Sequence, residues 1–265
     1  MATADVDDDL IATFRDEPGR SGVFCDFDGT LAEIIDAADQ AKPVDGAVEA
    51  LSSLAEVYAR VAVISGRPAR FLQEHLGGRG LILSGLYGLE RVDDDGVHVA
   101  EEAQRWQSVV TEVTDRARDT APDGLVVEPK GLSVTLHFRT TPELAGAAEE
   151  WVNEQAEETG LVVSPGRQSF ELRPPVTASK GTVVAEAADG LGAACFLGDD
   201  HGDLTAFDAL DELAGAGVTV MRVAVRSDES PPELLDRADV VVDGPDEVVR
   251  LLRRLLPEPS EPDSS

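Results

Sequence analysis

Cysteine is scarce. Cys25 and Cys195 are the only two, too few for a disulfide framework. Each lies in an apolar run, Val-Phe-Cys and Ala-Cys-Phe-Leu, where a thiol packs as a small hydrophobe. No cluster of Cys and His is spaced to hold zinc. No apolar stretch approaches the ~18 uninterrupted residues of a membrane span, so no transmembrane helix is expected. The start, Met1-Ala2-Thr3-Ala4-Asp5, lacks the basic-then-apolar order of a signal peptide, and the expected location is cytoplasmic. Cations are few as well: 22 Lys+Arg stand against 52 Asp+Glu, a formal charge of −30. Without a basic stripe, sequence-independent nucleic-acid binding is not expected. Lysine is rarest, at Lys42, Lys130 and Lys180, and the other 19 cations are Arg. An acidic proteome with scarce Lys fits a halophile, where salt screens self-repulsion. A GC-rich genome favouring Arg and Asp codons would leave the same mark. No internal repeat is present.

What is there suffices for a folded core. The 265 residues are 42% hydrophobic, and a chain of this length buries ~70–75% of its unfolded surface in one or two domains. Residues 1–20 are polar and acidic, a short helix or a loose arm. Ser21–Cys25, Val61–Ile64 and Leu81–Leu83 read as buried strands, with helices between them at 44–59 and before Leu76. Strand–helix alternation implies a parallel sheet with helices on both faces. The pattern then changes. After a turn at Asp93–Gly96 come a helix at 101–119, strands near 125–128, 133–139, 161–164 and 168–173, and a helix at 143–159. In two of these strands Val134, Leu136 and Phe138, then Phe170 and Leu172, alternate with polar residues, so each has one wet face. After Pro174-Pro175 the alternation resumes with helices at 180–188, 204–213 and 245–256. Between them lie strands at 194–197, 218–225 and 240–242. The expected fold class is α/β, a Rossmann-like parallel-sheet core with an inserted α+β cap domain. The core takes 1–92 and 176–256, the cap 93–175. The tail 257–265 is low-complexity and expected to be disordered.

The chemistry-bearing residues fall at strand ends. Asp26 and Asp28, in Asp26-Phe27-Asp28-Gly29-Thr30, follow the first strand, where open α/β sheets bind ligands. Such a carboxylate pair suits a hard cation like Mg²⁺, although Asp-Gly also serves plain turns. Gly198-Asp199-Asp200-His201-Gly202-Asp203 also follows a buried strand and brings three carboxylates to the same edge. Like charges so close call for a cation, unless the loop is simply solvated. Ser65-Gly66-Arg67 precedes a helix and offers a hydroxyl and amides to an anion, or merely caps that helix. Lys180 opens a helix in the resumed core and can bind phosphate as a point charge.

In order and placement these four signals resemble the haloacid dehalogenase superfamily of phosphotransferases. Its Asp-x-Asp-x-Thr motif appears at Asp26–Thr30, its strand-end Ser or Thr at Ser65, its Lys at Lys180, and its Gly-Asp-Asp-x-x-Asp at Gly198–Asp203. Within it the chain looks most like the trehalose-6-phosphate phosphatase family. The stretch Glu128-Pro129-Lys130 through His137-Phe138-Arg139 resembles that family's Glu-x-Lys…His-x-Arg segment. Glu171-Leu172-Arg173-Pro174, Lys180-Gly181 and Ser65-Gly66-Arg67-Pro68 fit as well, so the likeness spans about residues 22–245. One departure is Tyr87, where the family usually carries a His before the Gly.

The resemblance implies a Mg²⁺-dependent hydrolase of trehalose 6-phosphate. Asp26 would be the nucleophile, forming an aspartyl-phosphate. Asp28 would protonate the leaving sugar oxygen and then activate water. Mg²⁺ would be held by Asp26, the Asp28 backbone carbonyl and Asp199, with Asp200 or Asp203 acting through water or by orienting the ligands. Ser65 and Lys180 would hold phosphoryl oxygens. Gly29, Gly66, Arg67, Glu128, Lys130, His137, Arg139 and Glu171 would bind substrate. The partner is then a small sugar phosphate, with no nucleic acid and no membrane, supplied by a separate synthase. The alternatives are a phosphatase for another sugar phosphate, a phosphotransferase to a sugar acceptor, and a non-catalytic sugar-phosphate-binding regulatory protein.

Overall fold

The structure is a computed structural model that describes residues 8–35, 40–77, 80–93, 95–227 and 230–257. Chain order begins α1 (Asp8–Asp16), β1 (Ser21–Cys25), α2 (Ala47–Ala55), β2 (Arg60–Ile64), α3 (Ala69–Leu76), β3 (Leu81–Gly85), β4 (Glu90–Asp93) and β5 (Gly96–Val99). It continues with α4 (Glu101–Gln104), α5 (Gln107–Thr120), β6 (Val126–Pro129), β7 (Val134–His137), α6 (Ala145–Thr159), β8 (Val162–Gly166) and β9 (Ser169–Arg173). The last stretch is α7 (Lys180–Ala187), β10 (Ala193–Gly198), α8 (Leu204–Gly215), β11 (Thr219–Arg226), α9 (Pro232–Arg237), β12 (Val240–Asp243) and α10 (Pro245–Arg254).

Unbroken apolar strands need a separate core on each face. An eight-stranded sheet ordered β12-β11-β10-β1-β2-β3-β4-β5 provides them. Val23, Cys25, Val61 and Val63 meet Ile11, Phe14, Leu51, Leu72 and Leu252 on one face. Phe24, Ile64 and Phe196 meet Val184, Phe207 and Leu234 on the other. Both cysteines are free and buried in the first core. The six strands from β12 to β3 are parallel, while β4 and β5 extend the sheet antiparallel. The expected boundary at 93 thus falls inside a hairpin whose two strands both pair in the large sheet.

The polar start contains α1, the short helix that was one of its two expected forms, pinned by Ile11 and Phe14. Two expectations change. The helix expected over 101–119 breaks at Arg105-Trp106 into α4 and α5. Residues 232–237 form a helix that was not expected. The tail beyond 257 lies outside the described residues.

The second sheet, β6-β7-β9-β8, is antiparallel throughout. Its apolar face, with Val134, Leu136 and Leu172, packs on Val110, Val113 and Ala117 of α5 and on Trp151 and Val152 of α6. The register lines Glu128, Thr135, Glu171 and Ser164 across all four strands on the opposite face. Where the two sheets meet, Leu132 packs with Leu86, Leu89 and Ala103.

Helix α7 is set tightly against α8. A Cβ on Gly181 would lie 2.1 Å from the Thr205 carbonyl oxygen, and Gly181 N–H donates to Thr205 Oγ1 at 3.2 Å. Gly181→Ala is therefore expected to destabilise the protein by about 1–3 kcal/mol, the overpacking cost outweighing alanine's better helix propensity. A urea denaturation midpoint equal to that of the unmodified protein would count against this fit.

Candidate functional site

Because β10, β1 and β2 are parallel neighbours, their carboxyl ends share one edge, and Asp26, Ser65 and Asp199 each follow a strand there. The backbone joins these loops: Asp26 N–H donates to Leu197 O at 2.9 Å and Ser65 N–H to Ser84 O at 3.0 Å. Gly29 has φ 79°, and a Cβ on it would lie 2.2 Å from Asp199 Oδ2, so glycine suits both the turn and the approach.

Lys180 is the centre of charge. Ser179 caps α7 through a reciprocal capping box with Thr182, which fixes the first residue of the helix. Lys180 Nζ lies 2.7 Å from Asp26 Oδ1, 2.6 Å from Asp203 Oδ1 and 3.9 Å from Asp200 Oδ1. Asp203 Oδ2 accepts from the amides of Asp199 at 2.8 Å and Asp200 at 2.9 Å. Gly198 leaves room for it, since a Cβ there would lie 2.3 Å from Asp203 Cγ. The Asp200 carboxylate instead caps the turn at Gly202 and is half exposed.

Burial sets the electrostatics. It drives Asp26 well above the carboxylate range; Lys180 opposes this, while the charges of Asp203, Asp199 and Asp200 add to it. Burial followed by the Asp200 charge pushes Asp199 up to about 6, against the pull of Arg167 and Lys180. Asp203 is pushed up to about 7 by burial, resisted by Lys180. Burial disfavours the Lys180 ammonium, yet Asp203, Asp26 and Asp200 outweigh it and raise its pKa.

A cluster with so much negative charge fits a further cation. One carboxylate oxygen each from Asp26, Asp199 and Asp203 falls within 4.8 Å of the others, the one such group among the described residues. Asp199 Oδ1 is buried with no hydrogen-bond partner. Hard oxygen donors of this kind suit a divalent ion. The Asp28 carboxylate stands apart, because Arg67 holds it at both oxygens, 2.8 Å from Nε and 2.6 Å from Nη2. Arg67 in turn lies 4.8 Å over the Phe71 ring, and its amide donates to Ser65 Oγ at 3.1 Å.

The polar face of the small sheet forms the opposite wall. Glu128 Oε2 meets His137 Nε2 at 2.8 Å, and Ser133 Oγ donates to Glu171 Oε1 at 2.5 Å. Lys130 Nζ lies 3.9 Å from Glu128 and 3.7 Å from Glu171. Burial would raise Glu128, but the His137 bond and Lys130 hold it below its usual value. A cavity of about 230 Å³ between the walls is lined by Asp26, Asp28, Ser65, Gly66, Arg67, Glu128, Lys130, His137, Arg139, Glu171, Lys180 and Asp200. The structure thus brings residues from both halves of the expected set around one space, while Gly29, Asp199 and Asp203 are not part of its lining.

Among the lining residues that sequence reasoning missed, three are polar groups of consequence. Thr135, with a buried and unpartnered Oγ1, was legible as a polar-face position but carries no motif. Arg167, in a hairpin turn, had no signal at all. Tyr87 was noticed only as a departure. It has φ 59°, and a Cβ on Gly66 would lie 2.5 Å from its hydroxyl oxygen, so Gly66 is small to admit the phenol.

The chain is similar to known proteins. The family model described as trehalose-phosphatase matches residues 24–237. A trehalose-phosphate phosphatase of Mycobacterium leprae is 33% identical over 242 residues, covering 83% of this chain and 53% of that one. One of Mycobacterium marinum is 35% identical over 202 residues, covering 72% and 52%. The chain spans about half the length of these curated relatives. The C-terminal domain of C. albicans trehalose-6-phosphate phosphatase superposes with a TM-score of 0.75 over 96% of this chain and 98% of that one, at 23% identity, a likeness of fold. Among the described residues, no helix is long and apolar enough to cross a membrane.

The raised carboxyls give the cluster a stability signature. The folded chain keeps protons on Asp199 and Asp203 that the unfolded chain loses near the ordinary 3.8. Their contribution to stability is full below about pH 4 and is lost as the pH rises through about 6 and 7. With divalent cations chelated, the melting temperature is expected to fall between pH 5 and pH 8. Mg²⁺, binding the ionised form, should raise it more at pH 8 than at pH 5. Calorimetry showing an equal Mg²⁺ effect at both pH values would contradict the cluster's assigned role.

Proposed function

This chain belongs to the trehalose-phosphatase family, and from that premise we propose that it hydrolyses trehalose 6-phosphate to trehalose and phosphate. The observation that carries the reading is the pairing of walls. A buried Asp26–Lys180–Asp203 triad faces a cavity whose other side presents Glu128, Lys130 and Glu171. The first suits a phosphoryl group, the second the hydroxyls of a sugar.

Asp26 attacks phosphorus in line and becomes an aspartyl-phosphate, which water then hydrolyses. Lys180 fixes the Asp26 rotamer through Oδ1 and offers its remaining charge to phosphoryl oxygens, joined by Ser65 Oγ. Asp203, engaged by two amides and Lys180, serves as the brace of this arrangement. Asp28, once Arg67 releases one of its oxygens and that oxygen takes up a proton, protonates the leaving sugar oxygen and then takes a proton from the water that attacks the aspartyl-phosphate. Asp26, Asp199 and Asp203 supply oxygen donors suited to Mg²⁺, which when bound would neutralise charge on the phosphoryl group. Glu128, Lys130, Glu171 and the unpartnered Thr135 hydroxyl bind sugar hydroxyls, with His137 and Arg139 beside them. A sugar lacking a matching hydroxyl would leave the buried Thr135 hydroxyl without a partner, which contributes to the site's selectivity.

We take 93–175 as the inserted cap, with its moving part beginning after the β4–β5 hairpin. Burial of the chemistry between the two sheets supports closure over the substrate. The charge of −30, with Arg for nearly all cations, supports function at high salt in a halophile's cytoplasm. A synthase would supply the sugar phosphate.

Phosphate release from a panel of sugar phosphates, with Mg²⁺ and at low and molar KCl, tests the reading. Trehalose 6-phosphate is expected to be turned over selectively, and Asp26→Asn to lower kcat by about a thousandfold or more. Preference for a different sugar phosphate would move the substrate assignment, and Tyr87→His would show whether that residue is the cause. No turnover of any of them would overturn the enzyme reading.

A further inference from the structure

Arg167 belongs to the small sheet yet bonds to the acidic cluster of the large one. It sits in the two-residue turn between β8 and β9, where Gly166 pairs with Ser169 and Gln168 takes a left-handed φ of 46°. A turn this short fixes the base of the side chain. The guanidinium donates to Asp199 Oδ2 at 2.8 Å. The other oxygen of that buried carboxylate, Oδ1, has no partner. Asp199 also contributes to the oxygen cluster that fits a divalent cation.

A guanidinium and a divalent cation are rivals for one buried carboxylate. Their repulsion across a few ångströms is strong where water is excluded. A doubly charged phosphoryl group removes the conflict, because it gives the guanidinium a better acceptor than Asp199. The planar fork of Arg matches phosphate oxygens in a way a point charge does not. Arg167 has the means to make the exchange. Its side chain keeps 28% of its surface exposed, and it lines the same cavity as Asp26, Ser65 and Lys180. It also borders an adjoining cavity of about 460 Å³, beyond Tyr87, which leaves room for a change of rotamer.

We propose that Arg167 is a phosphoryl-binding residue carried by the small sheet. It rests on Asp199, and it yields that carboxylate to the divalent cation as its guanidinium turns to the phosphoryl oxygens of the sugar phosphate. The exchange makes and breaks only ion pairs. It rests on the phosphatase reading of the site, and it makes the seating of the small sheet a condition for holding the phosphoryl group. Substrate that draws the two sheets together thereby completes its own binding site.

The test uses Arg167→Ala and Arg167→Lys, each shown to melt like the unmodified protein, and two equilibrium measurements. The first is Mn²⁺ affinity of the protein without other ligand, from the paramagnetic resonance of free Mn²⁺. The second is the affinity for inorganic phosphate at saturating Mn²⁺, by calorimetry. Arg167→Ala is expected to bind Mn²⁺ as tightly as the unmodified protein or more tightly, since a rival cation is gone. It should bind phosphate about tenfold more weakly, the loss of one charge-assisted contact, with Arg167→Lys recovering part of this. Weaker Mn²⁺ binding by Arg167→Ala would overturn the proposal whatever phosphate does, and would make Arg167 an orienter of Asp199. Unchanged phosphate affinity would overturn it equally, leaving a plain link between the sheets. Both readouts are independent of turnover. A protein that holds phosphate through Arg167 but hydrolyses no sugar phosphate would sink the phosphatase reading and keep this one.

Discussion

Lys180 holds together charges that would otherwise drive the site apart. Asp26 and Asp203 are both buried, and each places an oxygen within 2.7 Å of the same ammonium. Removing that cation would leave two uncompensated carboxylates in a place from which water is excluded. Much of the surrounding sequence serves this contact. Ser179 and Thr182 fix the helix start, Gly181 lets α7 approach α8, and Gly198 leaves room for Asp203. Two backbone amides hold the far side of Asp203, so its loop cannot drift without losing the ammonium too.

The two sheets differ by their construction in what they can offer a ligand. The large sheet is covered by helices on both faces, so it can offer a ligand only its edge, where strands give way to loops. The small sheet is covered on one face alone and offers the other as a flat polar wall. Antiparallel register turns that wall into rows, and the row Glu128–Thr135–Glu171–Ser164 crosses every strand. An edge suits a compact, highly charged group held by loop ends. A wall suits a larger neutral ring system with many hydroxyls.

The strands were legible because burial on both faces forces unbroken apolar runs, as in Ser21–Cys25 and Ala193–Gly198. The half-buried strands were legible through alternation, which placed His137 and Glu171 on the cavity side. The acidic motifs could be located because they interrupt apolar runs at strand ends. What escaped had weaker local causes. Strands β4 and β5 are short, and only the pairing of β4 with β3 and of β5 with β4 makes them sheet. The break at Arg105-Trp106 has no Gly or Pro to announce it. The bidentate clasp of Arg67 on Asp28 joins residues 39 positions apart, and nothing in either segment encodes the partner. Arg167 lies in a turn defined only once the strands on either side are placed.

The place of β1 in the large sheet has a consequence for how the protein is made. One of its neighbours, β2, follows it closely, but the other, β10, begins at Ala193. On a ribosome adding about 5–20 residues per second, β1 emerges about 10–35 s before β10. During that interval an apolar strand shows an open parallel edge, a template for pairing with a neighbouring chain. The contact at the centre of the site is subject to the same delay, because Asp26 meets Lys180 only after most of the protein has been translated.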